Sequence, residues 1–243
     1  MDREIGVGSA PGWTEALAAW DRRRDDREAK KAAQRFEALA QRTPDDPAIF
    51  AWCARSLYYL GDYEPDESRR REIFERGMEA GKRGIALDAD HSGALFWTSA
   101  CEASYVELIG LLRRASYVPE IIATLKRLWE RDPTYYHRGT MRLLGQALVR
   151  QPGLVKRFLP LAMPGIGPDL VIRELRATIA EGPPIVFAHQ TLAQVLHAVR
   201  GDRKAARAAI EAIEAIALDA DPLFAPENDR DRPRALALLR KLA

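Results

Sequence analysis

The residues best suited to binding a ligand are two glutamates and a polar stripe in neighbouring parts of the chain. Glu102 and Glu107 interrupt the very apolar stretch ALFWTSACEASYVELIGLL, and Arg138, Arg142 and Gln146 follow one another at four-residue steps. Such steps place side chains on one face of a helix. If the two helices face each other, they form a structural ion pair, or Arg142 holds a ligand carboxylate through its forked guanidinium. Both alternatives remain open from the sequence.

Large aromatic residues accumulate in the middle third of the chain. They either line an apolar pocket or fill the gaps between packed helices. They are Trp52, Tyr58, Tyr59, Phe96, Trp97, Tyr105, Tyr117, Trp129, Tyr135 and Tyr136. Together with the charged residues they predict a groove for a ligand or partner. Its candidate members are Trp97, Glu102, Tyr105, Tyr136, Arg138 and Arg142.

No local motif for catalysis is present, since GxSxG, HExxH, Walker A and GxGxxG are all missing. His189 and His197 are eight residues apart, which separates them by about 80° around a helix and makes them poor joint metal ligands. Cys53 and Cys101 lie in apolar stretches without neighbouring ligands and are predicted to be core thiols. We expect no enzymatic activity, no cofactor and no metal. An enzyme would need a site assembled from distant residues such as Glu102, His137 and Arg142.

Charge and hydropathy exclude several classes of protein. The 243 residues carry 37 Lys and Arg against 35 Asp and Glu, a net charge of +2, and both signs are scattered along the chain. Nucleic-acid binding is therefore not expected. Neither a signal peptide nor a run of eighteen apolar residues is found. The sequence as it stands predicts a cytoplasmic protein without a membrane span, or a periplasmic one if a leader has been removed.

Similar breaks punctuate the chain, ending at Pro47, His91, Pro133, Pro184 and Pro222, with separations of 44, 42, 51 and 38 residues. Between them apolar residues recur at steps of three and four, which predicts helices, and strand-like alternation is missing. Each interval is therefore predicted to be a helix pair. The predicted helices are Trp13–Arg22, Arg27–Arg42, Ala48–Leu60, Glu67–Leu87, Ser92–Leu112, Pro119–Arg131, Tyr136–Arg150, Asp169–Glu181, Ile185–Arg200, Arg203–Leu218 and a capping helix Arg232–Leu242.

Two intervals resemble the tetratricopeptide repeat. Gly61-Asp62 and Gly201-Asp202 lie where that repeat turns between its two helices, and the LDAD segments lie where the repeat ends. The physical roles agree, because Gly permits the positive φ of a helix end and Asp caps the next helix. We therefore predict an all-α, irregular tetratricopeptide-like helical-repeat array of about five helix pairs plus a C-terminal capping helix.

The array is expected to form one domain over residues 1–243. Residues 1–12 are expected to be flexible, and residues 151–168 (QPGLVKRFLPLAMPGIGP) to form a long Pro/Gly-rich connection. That connection either packs its apolar side chains on the core or exposes them as a lid or oligomer contact. Three glycines, Gly77, Gly81 and Gly84, recur on one helix and indicate close helix packing or backbone exposed to a ligand.

Several segments together resemble the T component of tripartite ATP-independent periplasmic (TRAP) transporters. They include GALFWTSA at Gly93–Ala100, the stretch Asp132–Pro152 and GIGPDLVIREL at Gly165–Leu175. The resemblance implies a non-catalytic periplasmic lipoprotein that contacts the solute-binding subunit, allows a ring-like homo-oligomer and offers a cleft to a hydrophobic or carboxylated solute. The alternative is a cytoplasmic tetratricopeptide adaptor that binds a peptide segment of a partner protein.

Overall fold

The computed structural model describes residues 10–150 and 152–238, and these two ranges contain helices but no β-strand. The prediction of an all-α helical-repeat array is confirmed. A short 3₁₀ segment, Ala212–Ala215, follows α11. The helices are α1 Trp13–Asp21, α2 Asp26–Arg42, α3 Pro47–Tyr63, α4 Glu67–Leu87, α5 Ser92–Glu107, α6 Leu111–Arg131, α7 Tyr135–Arg150, α8 Pro152–Ala162, α9 Pro168–Glu181, α10 Val186–Arg200, α11 Arg203–Glu211 and α12 Ala225–Ala237.

The chain divides into two compact units, Met1–Tyr135 and Tyr136–Ala243, which are treated separately below. The single domain over 1–243 stays a prediction. Residues 1–9 of the segment expected to be flexible lie outside the described residues, as do residues 239–242 of the predicted capping helix. No described helix is both long and apolar enough to cross a membrane.

In the first unit each helix packs on the next one, and α3 also packs on α5. Contact between the first helices of successive pairs is how a repeat array buries its apolar faces. Aspartates begin three of these helices. The side chains of Asp25, Asp46 and Asp66 accept hydrogen bonds from the backbone N–H groups of Arg27, Ala48 and Arg69. Each cap satisfies an amide that has no partner within its helix.

Aromatic rings and two buried arginines, Arg23 and Arg55, fill the core of the first unit. Phe36 stacks on Trp52 at 5.2 Å between ring centroids, and Trp20 meets Trp52 edge-on at 5.7 Å. The Arg55 guanidinium is only 1% exposed and lies within about 5 Å of the Trp20, Trp52 and Trp97 rings. Cation–π attraction is strongest when the cation is desolvated in this way. These aromatic residues therefore pack the core instead of lining a pocket.

Glycines let α4 approach α5 closely. A Cβ atom on Gly77 would lie 2.6 Å from the Cys101 Sγ atom, and one on Gly81 would lie 3.1 Å from the Thr98 Cα atom. Gly84 likewise faces the Ala94 methyl group at 3.0 Å. Close helix packing is thus the observed role of these glycines.

The two predicted Gly-Asp turns differ. Gly201 has φ +68° and ends α10, and the Asp202 side chain caps α11, as predicted. Gly61 instead lies inside α3, which continues to Tyr63. A Cβ atom there would lie 2.6 Å from the Phe74 ring, so the glycine serves close packing, and the following helix is capped by Asp66.

The end of the second unit departs from prediction, because α12 begins at Ala225 instead of Arg232. Asn228 explains the earlier start. Its Oδ1 atom accepts from the Val186 N–H at 2.9 Å and its Nδ2 atom donates to the Pro184 carbonyl at 2.7 Å. These bonds tie the first turn of α12 to the beginning of α10. Pro233 is tolerated inside the helix on an exposed face.

The segment 151–168 is not the plain connection that was expected, since it contains α8. A helix accepts proline in its first turn, where the missing N–H has no intrahelical partner, and Pro152 stands at that place. Leu159 and Met163 are buried, as expected of a segment packed on a core, whereas Leu161 is 79% exposed. Pro119 similarly lies inside α6 instead of beginning it.

Candidate functional site

Three of the predicted groove residues, Trp97, Glu102 and Tyr105, lie on α5 in the first unit. Trp97 is part of the core, edge-on to Phe96 at 4.8 Å between centroids. The Tyr105 hydroxyl donates to the Glu75 carboxylate at 2.8 Å, and this bond raises the pKa of Tyr105 to about 12. Of the three, Glu102 lines the cavity described next.

That cavity, called here the α4–α6 cleft, is formed by α4, α5 and α6 and has a volume of about 220 Å³. It is small, but it brings acidic, basic and apolar side chains together. Its lining consists of Lys82, Ile85, Leu95, Thr98, Glu102, Glu120, Ala123, Thr124 and Arg127.

Glu102 is the most buried charge in the cleft, with 1% of its side chain exposed. The Lys82 Nζ atom lies 2.9 Å from its Oε1 atom and 3.1 Å from the Glu120 Oε1 atom. The ammonium is close enough to Glu102 for an ion pair, but neither carboxylate oxygen has an aligned hydrogen bond among the described residues. The charge of Glu102 is therefore balanced by Lys82, but the hydrogen-bonding capacity of its carboxylate oxygens is not satisfied.

Burial and charge oppose each other at this ion pair. Burial raises the pKa of Glu102, with Lys82 partly offsetting it and Glu120 adding to it. Burial acts to lower the pKa of Lys82, but the two glutamates outweigh it, so the pKa of Lys82 is raised. Burial disfavours the charged form of either group, and a nearby opposite charge favours it.

Arg127 lies on the exposed side of the same cleft. Its Nη1 atom donates to the Ala89 carbonyl at 2.9 Å, which anchors the guanidinium beside the α4–α5 connection. A planar guanidinium has further N–H groups and suits a carboxylate. Sequence reasoning missed Lys82, Glu120 and Arg127. The sequence signal for Lys82 was that it directly follows Gly81, one of the glycines that bring α4 close to α5.

The other three predicted groove residues belong to the second unit. Tyr136, His137 and Arg138 have φ values of 47°, 53° and 58°, which form a left-handed turn at the start of α7. Residues other than glycine adopt this backbone conformation at a cost of about 1–3 kcal/mol each, so surrounding contacts must stabilise it. We call these three residues the left-handed turn.

Arg142 supports the left-handed turn. It is 3% exposed, its Nη1 atom donates to the His137 carbonyl at 2.7 Å, and its guanidinium lies 5.0 Å from the Tyr136 ring centroid. Thr178 on α9 donates to the same carbonyl at 3.2 Å. Burial, reinforced by the positive charge of Arg142, lowers the pKa of His137.

Arg138 fastens the turn to α9. Its Nη2 atom lies 2.7 Å from the Glu181 Oε2 atom, and its Nε atom lies 3.2 Å from the Glu174 Oε2 atom. Among the predicted groove residues, Glu102 thus pairs with Lys82, and Arg138 pairs with Glu174 and Glu181. Whether the six residues form one groove stays a prediction.

Neither cysteine is prepared for chemistry. Both thiols are buried, and burial raises the pKa of Cys53 to about 12 and that of Cys101 well above its ordinary value. A thiol is nucleophilic only when it ionises, so both act as small apolar core groups. Within residues 10–150 and 152–238, no three His, Cys, Asp or Glu side chains are grouped closely enough to hold a metal ion.

Comparison with known proteins gives the fold. No protein-family model matches this sequence, and no curated protein matches it. Among solved structures, a thermophilic TPR protein from Thermus thermophilus is similar, with a TM-score of 0.58, 19% sequence identity, and coverage of 88% of this chain and 91% of that one. At this identity the likeness concerns the fold alone. The chain therefore has a tetratricopeptide-like helical-repeat fold.

Proposed function

We propose that this chain is a non-catalytic binding protein of the TRAP T-component type, which holds a small solute in the α4–α6 cleft and contacts a solute-binding subunit at the mouth of that cleft. The cleft itself carries the proposal. It combines a buried carboxylate, an ammonium and a guanidinium within about 220 Å³, while the neighbouring aromatic residues are used for packing.

The chemistry of the cleft favours binding over catalysis. Acid–base catalysis needs a group that exchanges protons with substrate near the working pH. Here the only buried titratable group of the cleft is neutralised by Lys82, which also reaches Glu120. Fixed charges of both signs instead orient a ligand, and the apolar Ile85 and Leu95 bound its carbon skeleton.

A contact at the mouth of the cleft follows from its position. Ala123, Arg127 and Glu120 are exposed residues of α6 that line it. A solute enters or leaves past these side chains, so a subunit that exchanges solute with this protein covers them. The proposal places the mature protein in the periplasm, with its partner.

Site-specific photo-cross-linking in the native host tests the proposed contact. A benzophenone amino acid replaces Ala123 in the cleft, and in a matched control it replaces Lys30, an exposed residue of α2. We expect capture of a solute-binding subunit from position 123 and not from position 30, identified by mass spectrometry of the adduct.

Two outcomes would contradict the T-component proposal. Capture of a cytoplasmic protein through a peptide segment would support the adaptor alternative, which shares the same fold. Equal capture from both positions, or none from position 123, would exclude the cleft mouth as the contact. Native mass spectrometry of the full-length gene product would report a ring-like oligomer directly.

A further inference from the structure

Glu102 has a carboxylate oxygen that the protein leaves unsatisfied. Its side chain is 1% exposed, the Lys82 Nζ atom lies 2.9 Å from its Oε1 atom, and the Oε2 atom has no hydrogen-bond partner among the described residues. A buried acceptor without a donor destabilises the folded chain. Since Glu102 lines the α4–α6 cleft, a ligand bound in that cleft is placed to supply the missing donor.

The cleft has a negative end. Glu102, Glu120 and Lys82 meet there, with both carboxylates within 3.1 Å of the same ammonium. Two negative charges and one positive charge leave this end with a net charge of −1. A second ammonium group is attracted to it, and would donate to the Oε2 atom of Glu102.

The cleft also has a positive end. Arg127 lies seven residues after Glu120 on α6, which separates their backbones by about 10 Å along the helix axis at 1.5 Å per residue. The bond from Arg127 to the Ala89 carbonyl holds its guanidinium toward the α4–α5 connection. Apolar Ile85, Leu95 and Ala123 also line the cleft.

Ends of opposite charge, an apolar wall and a volume of about 220 Å³ match a small zwitterion with an aliphatic side chain. We propose that the α4–α6 cleft binds a small free aliphatic α-amino acid, with its ammonium group on Glu102 and Glu120 and its carboxylate on Arg127. This inference rests on the proposed function, in which the cleft holds a solute, and names the class of that solute. A peptide terminus carries only one of the two charges next to its side chain, so it does not match both ends.

Isothermal titration calorimetry of the full chain with L-leucine and L-valine tests the inference. Glu102→Gln keeps the size of the side chain but removes its charge, and Arg127→Gln removes the positive end from an exposed position. Loss of one charge-assisted hydrogen bond is expected to weaken binding about tenfold or more. Glu130→Gln, an exposed change elsewhere on α6, is the matched control and should bind like the unaltered chain.

Blocked ligands separate a free amino acid from other sources of the same groups. N-acetyl-L-leucine lacks the ammonium and L-leucinamide lacks the carboxylate, so neither should bind comparably to L-leucine. The inference is overturned if neither amino acid binds, if Glu102→Gln and Arg127→Gln bind as tightly as the control, or if a blocked ligand binds as well as the free one. Arg127→Gln keeps the test decisive if Glu102→Gln alters the fold.

The two proposals fail independently. Capture of a solute-binding subunit from position 123, without amino-acid binding, would refute only the class of solute. Amino-acid binding without any captured subunit would support the cleft as an amino-acid site and refute the proposed protein contact.

Discussion

The α4–α6 cleft and the left-handed turn both contain buried charged side chains, but the two regions satisfy them differently. Arg142 donates to the His137 carbonyl and lies over the Tyr136 ring. Glu102 has Lys82 as its counter-ion, but neither of its carboxylate oxygens has an aligned hydrogen bond among the described residues. A charge that its own fold satisfies stabilises the structure, whereas one left partly unsatisfied is suited to a ligand. This contrast moves the expected carboxylate anchor from Arg142 to Arg127.

The largest effect is expected for Arg142→Ala, which removes the buried support of the left-handed turn. Loss of the bond to His137 and of the packing on Tyr136 should lower the free energy of unfolding by about 3 kcal/mol. Urea denaturation measures this change. Arg176→Ala, at an exposed position of α9 in the same unit, should change it by less than about 0.5 kcal/mol. Equal stability of the two variants would show that Arg142 is available for a ligand after all.

A somewhat smaller effect is expected for Gly81→Ala, which tests how the cleft is built. The added methyl group would meet the Thr98 backbone at 3.1 Å and push α4 away from α5. Overpacking of this kind costs about 1–3 kcal/mol. Gly110→Ala is the control, because nothing lies within 4 Å of a Cβ atom there. Thermal unfolding that is unchanged in Gly81→Ala would contradict the close approach of the two helices.

Glu102→Gln should alter the pH dependence of stability. Because the folded-state pKa of Glu102 is raised, its ionisation is harder in the folded than in the unfolded chain. Its contribution therefore falls as the pH rises from the ordinary glutamate pKa through the folded-state value, and is unfavourable above it. The unaltered chain should lose stability relative to Glu102→Gln across that window.

Denaturant midpoints of both proteins, measured between pH 3 and pH 8, give the difference curve for Glu102. Carboxyl groups that do not interact with Glu102 titrate alike in both proteins and cancel in that difference. A flat curve, or one that rises with pH, would mean that Lys82 and the surrounding solvent satisfy Glu102 fully, and the contrast with Arg142 would disappear.

The smallest effect is expected for Tyr105→Phe, which removes one hydrogen bond on α5 outside the cleft. Loss of the bond to Glu75 should lower the free energy of unfolding by about 0.5–1 kcal/mol. Tyr117→Phe, whose ring packs beside Tyr105 at 5.6 Å between centroids, is the matched control and should cost less. A spectrophotometric titration should also lose one phenol that ionises well above the ordinary tyrosine range, because the hydrogen bond to Glu75 raises the pKa of Tyr105 to about 12.

The sequence was sufficient to predict a helix end where that end depends only on adjacent residues. Asp202 follows Gly201, and together they end one helix and cap the next because positive φ and a side-chain acceptor are properties of adjacent residues. Gly61 shows the limit of the same argument. Its neighbours resemble a turn, but its conformation depends on the Phe74 ring, which reaches it from the following helix.

The candidate site was predictable only in part, for the same reason. Glu102 could be singled out because a charge within an apolar helix must find a partner. Its partners could not be named, since Lys82 comes from α4 and Glu120 from α6. Spacing along one helix defines its faces but does not say which faces meet.

The sequence by itself determined the helix periods, the Gly201-Asp202 turn and the repeat class, because all of these depend on residues a few positions apart. Only the tertiary structure decided which charged side chains are buried in the core, which form ion pairs and which line a cleft. Burial and electrostatic pairing depend on distances between residues far apart in the chain, and those distances exist only once the helices have packed.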